Sequence, residues 1–446
     1  MPVPVVTIAQ MRQWEEATWA TGQTQESVIN LVGARIAQLV GRMTRPGDFV
    51  LVVAGKGHNG DDARAASTKI TQRRVEVVNI KDAASDLSLL NARLAEKPAL
   101  VIDGLFGIGL TRPLETAWQA IVASINRAGC RVLSVDVPSG LNADTGAVMG
   151  DAVQATVTLT LAAPKPGLLL TRAEKYVGKL LVEPDIGLVP CPVDGDCLWT
   201  FAEDYLGYPP ERQIGAHKGQ FGHLVIIAGS HGYHGAGVLA ARAAQRARPG
   251  LVSIYAIPPA YVPVASQLQA VMVHAWTPGS RLPDRTTAVL AGPGLAAEDL
   301  PFELKERVLE LWKDANVPVV VDASALDWLE TGPVRSTAPR VITPHPGEAA
   351  RLLSTSVESV QSDRIGAVRE LSGRYANCWV VLKGRHTLVG REKGPIWVNS
   401  SGNPDLAQGG SGDVLAGYVG GLLAQPALQT DVQRALGYLS LIHISE

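Results

Sequence analysis

Two α/β domains, each built on a mainly parallel sheet with helices on both faces, are what this sequence predicts, and three observations carry that prediction. Short apolar runs rich in Val, Ile and Leu alternate with stretches of helical length along the whole chain, the rhythm of strand–helix–strand units. The rhythm lapses once, around 199–213, where aromatic and charged residues surround Pro209-Pro210. The length of 446 residues, at about 150 per domain, allows two or three units, and 46% apolar residues supply real cores.

In the first half the strand candidates are Phe49–Ala54, 75–80, 100–103, 132–136 and Val157–Leu161, with helices expected over 62–72 and 113–128. The lapse separates a first domain, 1–205, from a second, 210–446. The second alternation offers strands at 224–228, Leu251–Ala256, Ala288–Ala291, 317–321, 341–343 and Trp379–Leu382. The late uncharged stretch 414–430 is broken by Gly417, Gly420, Gly421 and Pro426. It is short for a membrane span and reads as a buried helix.

Charge and cysteines narrow the function classes. Lys+Arg 40 against Asp+Glu 42 leave a net charge of −2, which excludes a general nucleic-acid binder needing excess positive charge. Four cysteines at these spacings make neither a disulfide framework nor a zinc site, so buried, reduced thiols are expected. The N-terminus lacks a basic region followed by an apolar one, so no signal peptide is expected and the cytoplasm is the expected compartment.

Ligands in open α/β sheets sit at the carboxyl ends of strands, and polar residues cluster there. Phe49–Ala54 runs into Gly55-Lys56-Gly57-His58-Asn59-Gly60-Asp61-Asp62, the next strand into Asp103 and Gly104–Leu110, and 133–135 into Asp136-Val137-Pro138-Ser139-Gly140. Each loop alone is an ordinary turn. Together, Asn59, Asp103, Asp136 and Ser139 converge into an oxygen-rich site suited to a monovalent cation or acid–base chemistry. The glycines and a helix start near Asp62 favour phosphate.

In the second half, the segments 229–237, 291–295, 343–348 and 383–387 all follow strands. The run Gly409-Gly410-Ser411-Gly412-Asp413 then frees backbone amides at a helix N-terminus for an anion. Asp413, in the first turn, either caps its helix or acts as base on a hydroxyl beside the phosphate. His345 alone is evenly placed between ligand contact and loop packing. No Walker sequence is present, which excludes a P-loop NTPase.

From Ala9-Gln10-Met11-Arg12 to about Tyr438, and most specifically at 135–140, 343–348 and 409–417, the chain resembles the bifunctional NAD(P)H-hydrate repair enzymes. The resemblance implies a Rossmann-like epimerase domain followed by a ribokinase-like α/β dehydratase domain. It implies metabolite repair: interconversion of the R and S hydrates of NADH and NADPH (NADHX, NADPHX), then ADP-dependent dehydration of the S form. It places His58, Asn59, Gly60, Asp61, Asp62, the loop Gly107, Ile108, Gly109, Leu110, Thr111, Arg112 and Pro113, and Asp136 against the hydrate, with Asn59, Asp103 and Ser139 on potassium. In the second site Ala236, Gly294, His345 and Asp413 face the hydrate, and Lys383, Gly384, Arg385, His386, Thr387 and Gly412 face the nucleotide. Asp136 and Asp413 are the expected catalytic groups. Magnesium is expected with the nucleotide, and a homo-oligomer is expected from sites at sheet edges.

Three positions depart from the family pattern. Asp61 stands where a glycine is usual, adding charge beside a phosphate-bearing ligand at a position that calls for positive φ. Asp405 and Gln408 replace the usual Gly and Thr before the glycine run. The tail 439–446 does not look like the family's continuation and suggests a truncated, non-native end. Two alternatives remain on the residues: an ATP-dependent small-molecule kinase fused to a Rossmann-like binding module, and a pure binding scaffold. The fused first domain and the segment 343–348 count against the kinase, and retention of Asp103, Asp136 and Ser139 counts against the scaffold.

Overall fold

A computed structural model describes residues 1–438; the expectation of a non-native tail at 439–446 falls outside them. The chain divides into two compact units, Val3–Asp196 and the part that begins at Cys197. That division lies ahead of the sequence lapse, because Cys197–Thr200 is a strand paired in parallel with Ile396–Asn399, register Trp199 to Val398. The aromatic residues after it hid its allegiance.

The first unit holds one parallel sheet, ordered Arg74–Asn79, Phe49–Ala54, Leu100–Gly104, Val132–Val135, Val157–Leu161 and Lys179–Glu183. Its central strands are wholly buried, as unbroken Val/Ile/Leu runs require when both faces are covered. The last strand escaped sequence reading because its ends, Lys179 and Glu183, are charged. The first loop's helix is His58–Ser67, four residues ahead of the expectation. Gly57, extended at φ −92°, carries the chain from strand into helix with no side chain capping the helix.

The second unit's sheet runs Met272–Ala275, Leu251–Ala256, His223–Ile227, Ala288–Ala291, Val319–Val321, Arg340–Ile342 and Trp379–Leu382, all parallel. Leu388–Gly390 and Ile396–Asn399 add an antiparallel hairpin. The expected buried helix is Ser411–Leu423, closed by a separate 3-10 turn at Pro426–Asp431. It packs on His234–Arg246 so closely that a Cβ on Gly417 would lie 2.0 Å from the Ala240 carbonyl oxygen. Among the described residues no helix is long and apolar enough to cross a membrane. No disulfide joins the four cysteines, of which Cys197 and Cys378 are buried and Cys130 and Cys191 half-buried.

The Gly417 contact leaves no room for a side chain, so Gly417→Val is expected to cost about 2 kcal/mol or more in urea unfolding. Gly41→Ala, on a helix where an added Cβ meets nothing within 4 Å, is the control. It should be neutral or stabilise by about 0.5 kcal/mol.

Candidate functional site

Each sheet has a point between parallel strands where the strand order reverses. Phe49–Ala54 lies between a strand that follows it and another that follows later, so the connections leave on opposite faces and a crevice opens at the carboxyl ends of Phe49–Ala54 and Leu100–Gly104. A cavity of about 610 Å³ occupies it, walled by Lys56–Asn59, Asp62, Leu105–Arg112 and Asp136. Of the expected hydrate contacts, His58, Asn59, Asp62, Asp136 and the loop Gly107, Ile108, Gly109, Leu110, Thr111 and Arg112 line it. Gly60, Asp61 and Pro113 do not.

Asp61 corrects the sequence expectation. It sits inside the first turn of its helix, without positive φ, and its carboxylate pairs with Arg64 at 2.7 Å. The position that demands glycine is Gly60, where a Cβ would stand 2.1 Å from the Gly55 oxygen. The added charge is therefore matched by a neighbouring guanidinium.

Asp136 adopts φ +62°, a left-handed conformation that Asp tolerates better than most residues. Its Oδ1 accepts from Lys165 Nζ at 2.6 Å, and the same ammonium donates to the Leu161 carbonyl at 2.9 Å. Lys165 is 1% exposed, and sequence reasoning missed it. The signal was available: Lys165 stands between Pro164 and Pro166 just past the strand Val157–Leu161, obeying the rule that singled out the other loops. Two more carboxyls face the cavity. Burial, then the charges of Asp136, Asp61 and Glu15, push Asp62 up to about 8. Burial and then Asp136 raise Glu15.

Asn59, Asp103 and Ser139 meet as expected, while Asp136 turns to Lys165. Asp103 is fully buried; Ser139 Oγ donates to its Oδ1 at 2.6 Å and Ser134 Oγ to its Oδ2 at 2.8 Å. Phe106 ties the third member in, its carbonyl accepting from Asn59 Nδ2 at 2.9 Å and its amide donating to Ser139 Oγ at 2.9 Å. Burial raises Asp103, and hydrogen bonds oppose the shift.

The second unit reverses between His223–Ile227 and Ala288–Ala291. There Gly294, at φ +66°, lies against Ala236: a Cβ on the glycine would be 2.9 Å from the alanine Cβ. Across the next strands, Asp322 Oδ1 accepts from Thr343 Oγ1 at 2.6 Å and from Lys383 Nζ at 2.8 Å, and Glu348 Oε2 lies 3.6 Å from the same ammonium. Asp322 and Glu348 were missed by sequence reasoning in these roles. Asp413 stands in the first turn of Ser411–Leu423, behind Gly410 at φ +96° and with no side-chain cap on the helix. Burial, then the charge of Asp322, push Asp413 up to about 6, with Lys383 opposing.

His345 caps its own helix, Nδ1 accepting from the Gly347 amide at 3.0 Å while Glu348 Oε2 accepts from the His345 amide at 2.7 Å. Its ring is exposed, with Nε2 3.6 Å from Glu348 Oε1. The loop Lys383, Gly384, Arg385, His386 and Thr387 divides. Lys383 reaches the anion loop, a Cβ on Gly412 falling 3.4 Å from its Nζ. The His386 ring instead turns inward onto Trp199, centroids 5.0 Å apart, and burial pushes its pKa down to about 3. Arg364, buried behind the loop, donates to the carbonyls of Leu382, Arg385 and His386 and holds the loop's shape.

Residues 224–439 match the family model described as NAD(P)H-hydrate dehydratase, and 79–167 the one described as YjeF-related protein N-terminus. The bifunctional NAD(P)H-hydrate repair enzyme Nnr of Coxiella burnetii is 37% identical over 84% of this chain and 81% of its own. That of Escherichia coli is 33% identical over 84% and 76%. A solved ADP/ATP-dependent NAD(P)H-hydrate dehydratase from Bacillus subtilis is 29% identical, with TM-score 0.47 over 54% of this chain and 85% of that one.

The Asp136–Lys165 pair yields a stability prediction. Lys165→Met strands a buried carboxylate and is expected to cost about 3 kcal/mol in denaturant unfolding at neutral pH. Adding Asp136→Asn should restore part of the loss; an additive double mutant would show that the two residues do not act as a pair.

Proposed function

Because the chain belongs to the bifunctional NAD(P)H-hydrate repair enzymes, we propose that its first unit interconverts the R and S hydrates of NADH and NADPH and its second returns the S hydrate to cofactor at the expense of ADP. One observation above all supports this: Asp413, with its raised pKa, sits in the first turn of an uncapped, glycine-led helix with Lys383 alongside. That is a carboxylate base next to a phosphate-binding backbone.

Hydroxide is a poor leaving group, so direct loss of water from the hydrate is slow. In the second site Asp413 takes the proton of the hydrate hydroxyl as its oxygen attacks the terminal phosphorus of ADP. AMP leaves. The phosphorylated carbon then expels phosphate with the bonding pair, the neighbouring ring carbon gives up a proton, and the double bond returns. The amides of Gly412 and Asp413 hold the transferring oxygens. Ala236, Gly294 and His345 are proposed to seat the hydrate, and Gly412 with the 383–387 loop the nucleotide. A divalent ion such as Mg²⁺ supplies charge neutralisation on those phosphates when bound. Among the described residues no cluster of three His, Cys, Asp or Glu side chains is arranged to hold a metal, so the nucleotide's own oxygens are expected to be its main ligands.

Inversion in the first site passes through a planar state at the hydroxyl-bearing carbon: the ring nitrogen's lone pair expels the hydroxyl as water once a proton is supplied to it, and water returns to the other face and gives a proton back. Asp136 is proposed for that transfer, its charge held by Lys165. Asn59, Asp103 and Ser139 are proposed to hold potassium: the donors are oxygen-bearing, and the buried Asp103 brings one negative charge to offset. The ion's contribution there is to fix the Phe106 loop that forms the cavity wall.

Mixed R and S NADPH hydrates, incubated with the chain, ADP, magnesium and potassium, should recover fully the near-ultraviolet absorbance of NADPH. Asp413→Asn is expected to slow dehydration about 10²–10⁴-fold while R–S exchange continues. Asp136→Asn should stall recovery at the S fraction. Dehydration by the wild type should fall as pH drops through about 6, because protonated Asp413 cannot accept the hydroxyl proton. A stable phosphorylated product in place of NADPH would instead establish the kinase reading.

A further inference from the structure

We propose that Asp322 is a positioning residue for dehydration: with Thr343 and Glu348 it anchors the Lys383 ammonium against the anion loop, where Lys383 meets the terminal phosphate of the nucleotide and is kept from closing onto the carboxylate of Asp413. This rests on the dehydratase reading of the same site and adds to it a residue that does not itself touch the reacting atoms.

The placement comes from the sheet. Val319–Val321, Arg340–Ile342 and Trp379–Leu382 are consecutive parallel neighbours, and the first residue past each is Asp322, Thr343 and Lys383. Parallel register therefore brings all three to one edge, the edge where ligands bind. The middle residue, Thr343, donates to Asp322 at 2.6 Å, and Lys383 reaches across it to the same Oδ1 at 2.8 Å. Asp322 cannot drift. Its amide donates to the Ala291 carbonyl, and its own carbonyl lies where a Cβ on Gly292 would be 1.8 Å away. From the other side Glu348 approaches the ammonium at 3.6 Å, itself fixed by accepting from the His345 amide. The ammonium thus has carboxylates of Asp322 and Glu348 beside it and Gly412 close by, at the loop proposed to hold phosphate.

The charges around Asp413 are Asp322, Lys383 and Glu348, and they make the arrangement testable by sign. Asp322→Asn removes a negative charge and releases Lys383, and both changes favour ionised Asp413. Lys383→Met removes the cation and disfavours it. The nucleotide preference supplies the readout that charge removal alone would not move.

The experiment follows the pH dependence of kcat/KM for ADP-dependent NADPH recovery, and in parallel the affinities for ADP and AMP measured by calorimetry without hydrate. Asp322→Asn is expected to lower kcat and move the acid limb down by about one pH unit, while Lys383→Met moves it up. Each should also erase about tenfold of the preference for ADP over AMP, since only ADP carries the phosphate that the ammonium meets. If Asp322→Asn does not fold, Asp322→Glu keeps the charge, displaces the ammonium and should lose the same preference. Limbs that stay in place, or ADP and AMP weakened alike, overturn the proposal. Absence of recovery by the wild type would instead remove the dehydratase reading, with the ADP and AMP affinities still reporting on Lys383.

Discussion

Where neighbouring parallel strands send their connections to opposite faces of a sheet, no backbone crosses the gap between their carboxyl ends; the first unit's cavity lies at such a gap, and the second unit's polar cluster lies at the carboxyl ends of the strands beside one. Everything else in the sites follows from this constraint. It gathers loops distant in sequence, so Asn59, Asp103 and Ser139 share one hydrogen-bonded cluster although they leave three different strands. It also decides where glycine is compulsory. Gly60 and Gly55 touch because strand and helix meet head-on at the gap, and Gly294 and Ala236 touch for the same reason in the second unit.

Gathering polar loops over an apolar sheet carries an electrostatic cost, since carboxylates brought together there lose water. Asp62 is the clearest case. Its folded pKa of about 8 lies above the ordinary carboxylate value. Its contribution to stability is therefore present at low pH and lost as pH rises toward 8, the reverse of a salt-bridged aspartate. Burial and neighbouring charges hold Asp62 above the ordinary carboxylate range, and perturbed carboxyls of this kind cluster at sites of proton transfer.

The sequence showed the sheets and the loops, and hid the partners. Unbroken runs such as Phe49–Ala54 and Trp379–Leu382 declare themselves because both faces of a parallel strand are buried. Edge elements do not: Lys179–Glu183 is charged at both ends, and Cys197–Thr200 sits among aromatic residues that interrupt the alternation. Asp136 stood out as the polar residue that ends the apolar run 133–135, and Asp413 because a glycine run precedes it. Lys165, Asp322 and Glu348 were not, since a lone charged residue past a strand looks like any solvated turn until its neighbours are known. His386 errs the other way: its motif points to nucleotide, but its backbone at φ +52° turns the ring under the loop onto Trp199. Local spacing fixes which loop a residue belongs to; the side chain's direction depends on what packs beneath.

The two sites, unlike in chemistry and without visible repetition in sequence, share one electrostatic arrangement. Each has a lysine–aspartate pair at the strand ends with the aspartate buried, Lys165 with Asp136 and Lys383 with Asp322. Each has beside that pair a carboxyl pushed upward, Asp62 or Asp413, and in both the paired aspartate is the largest charge contribution to the shift. A lysine that neutralises one carboxylate leaves the pair nearly neutral at a distance but dipolar close by, so a second carboxyl on the aspartate's side still feels repulsion. The roles then diverge with geometry. In the first unit the paired aspartate itself lines the cavity and is proposed to react. In the second, Asp322 is buried behind its lysine, and Asp413, carried in on a helix with its own field, is the group proposed for proton transfer.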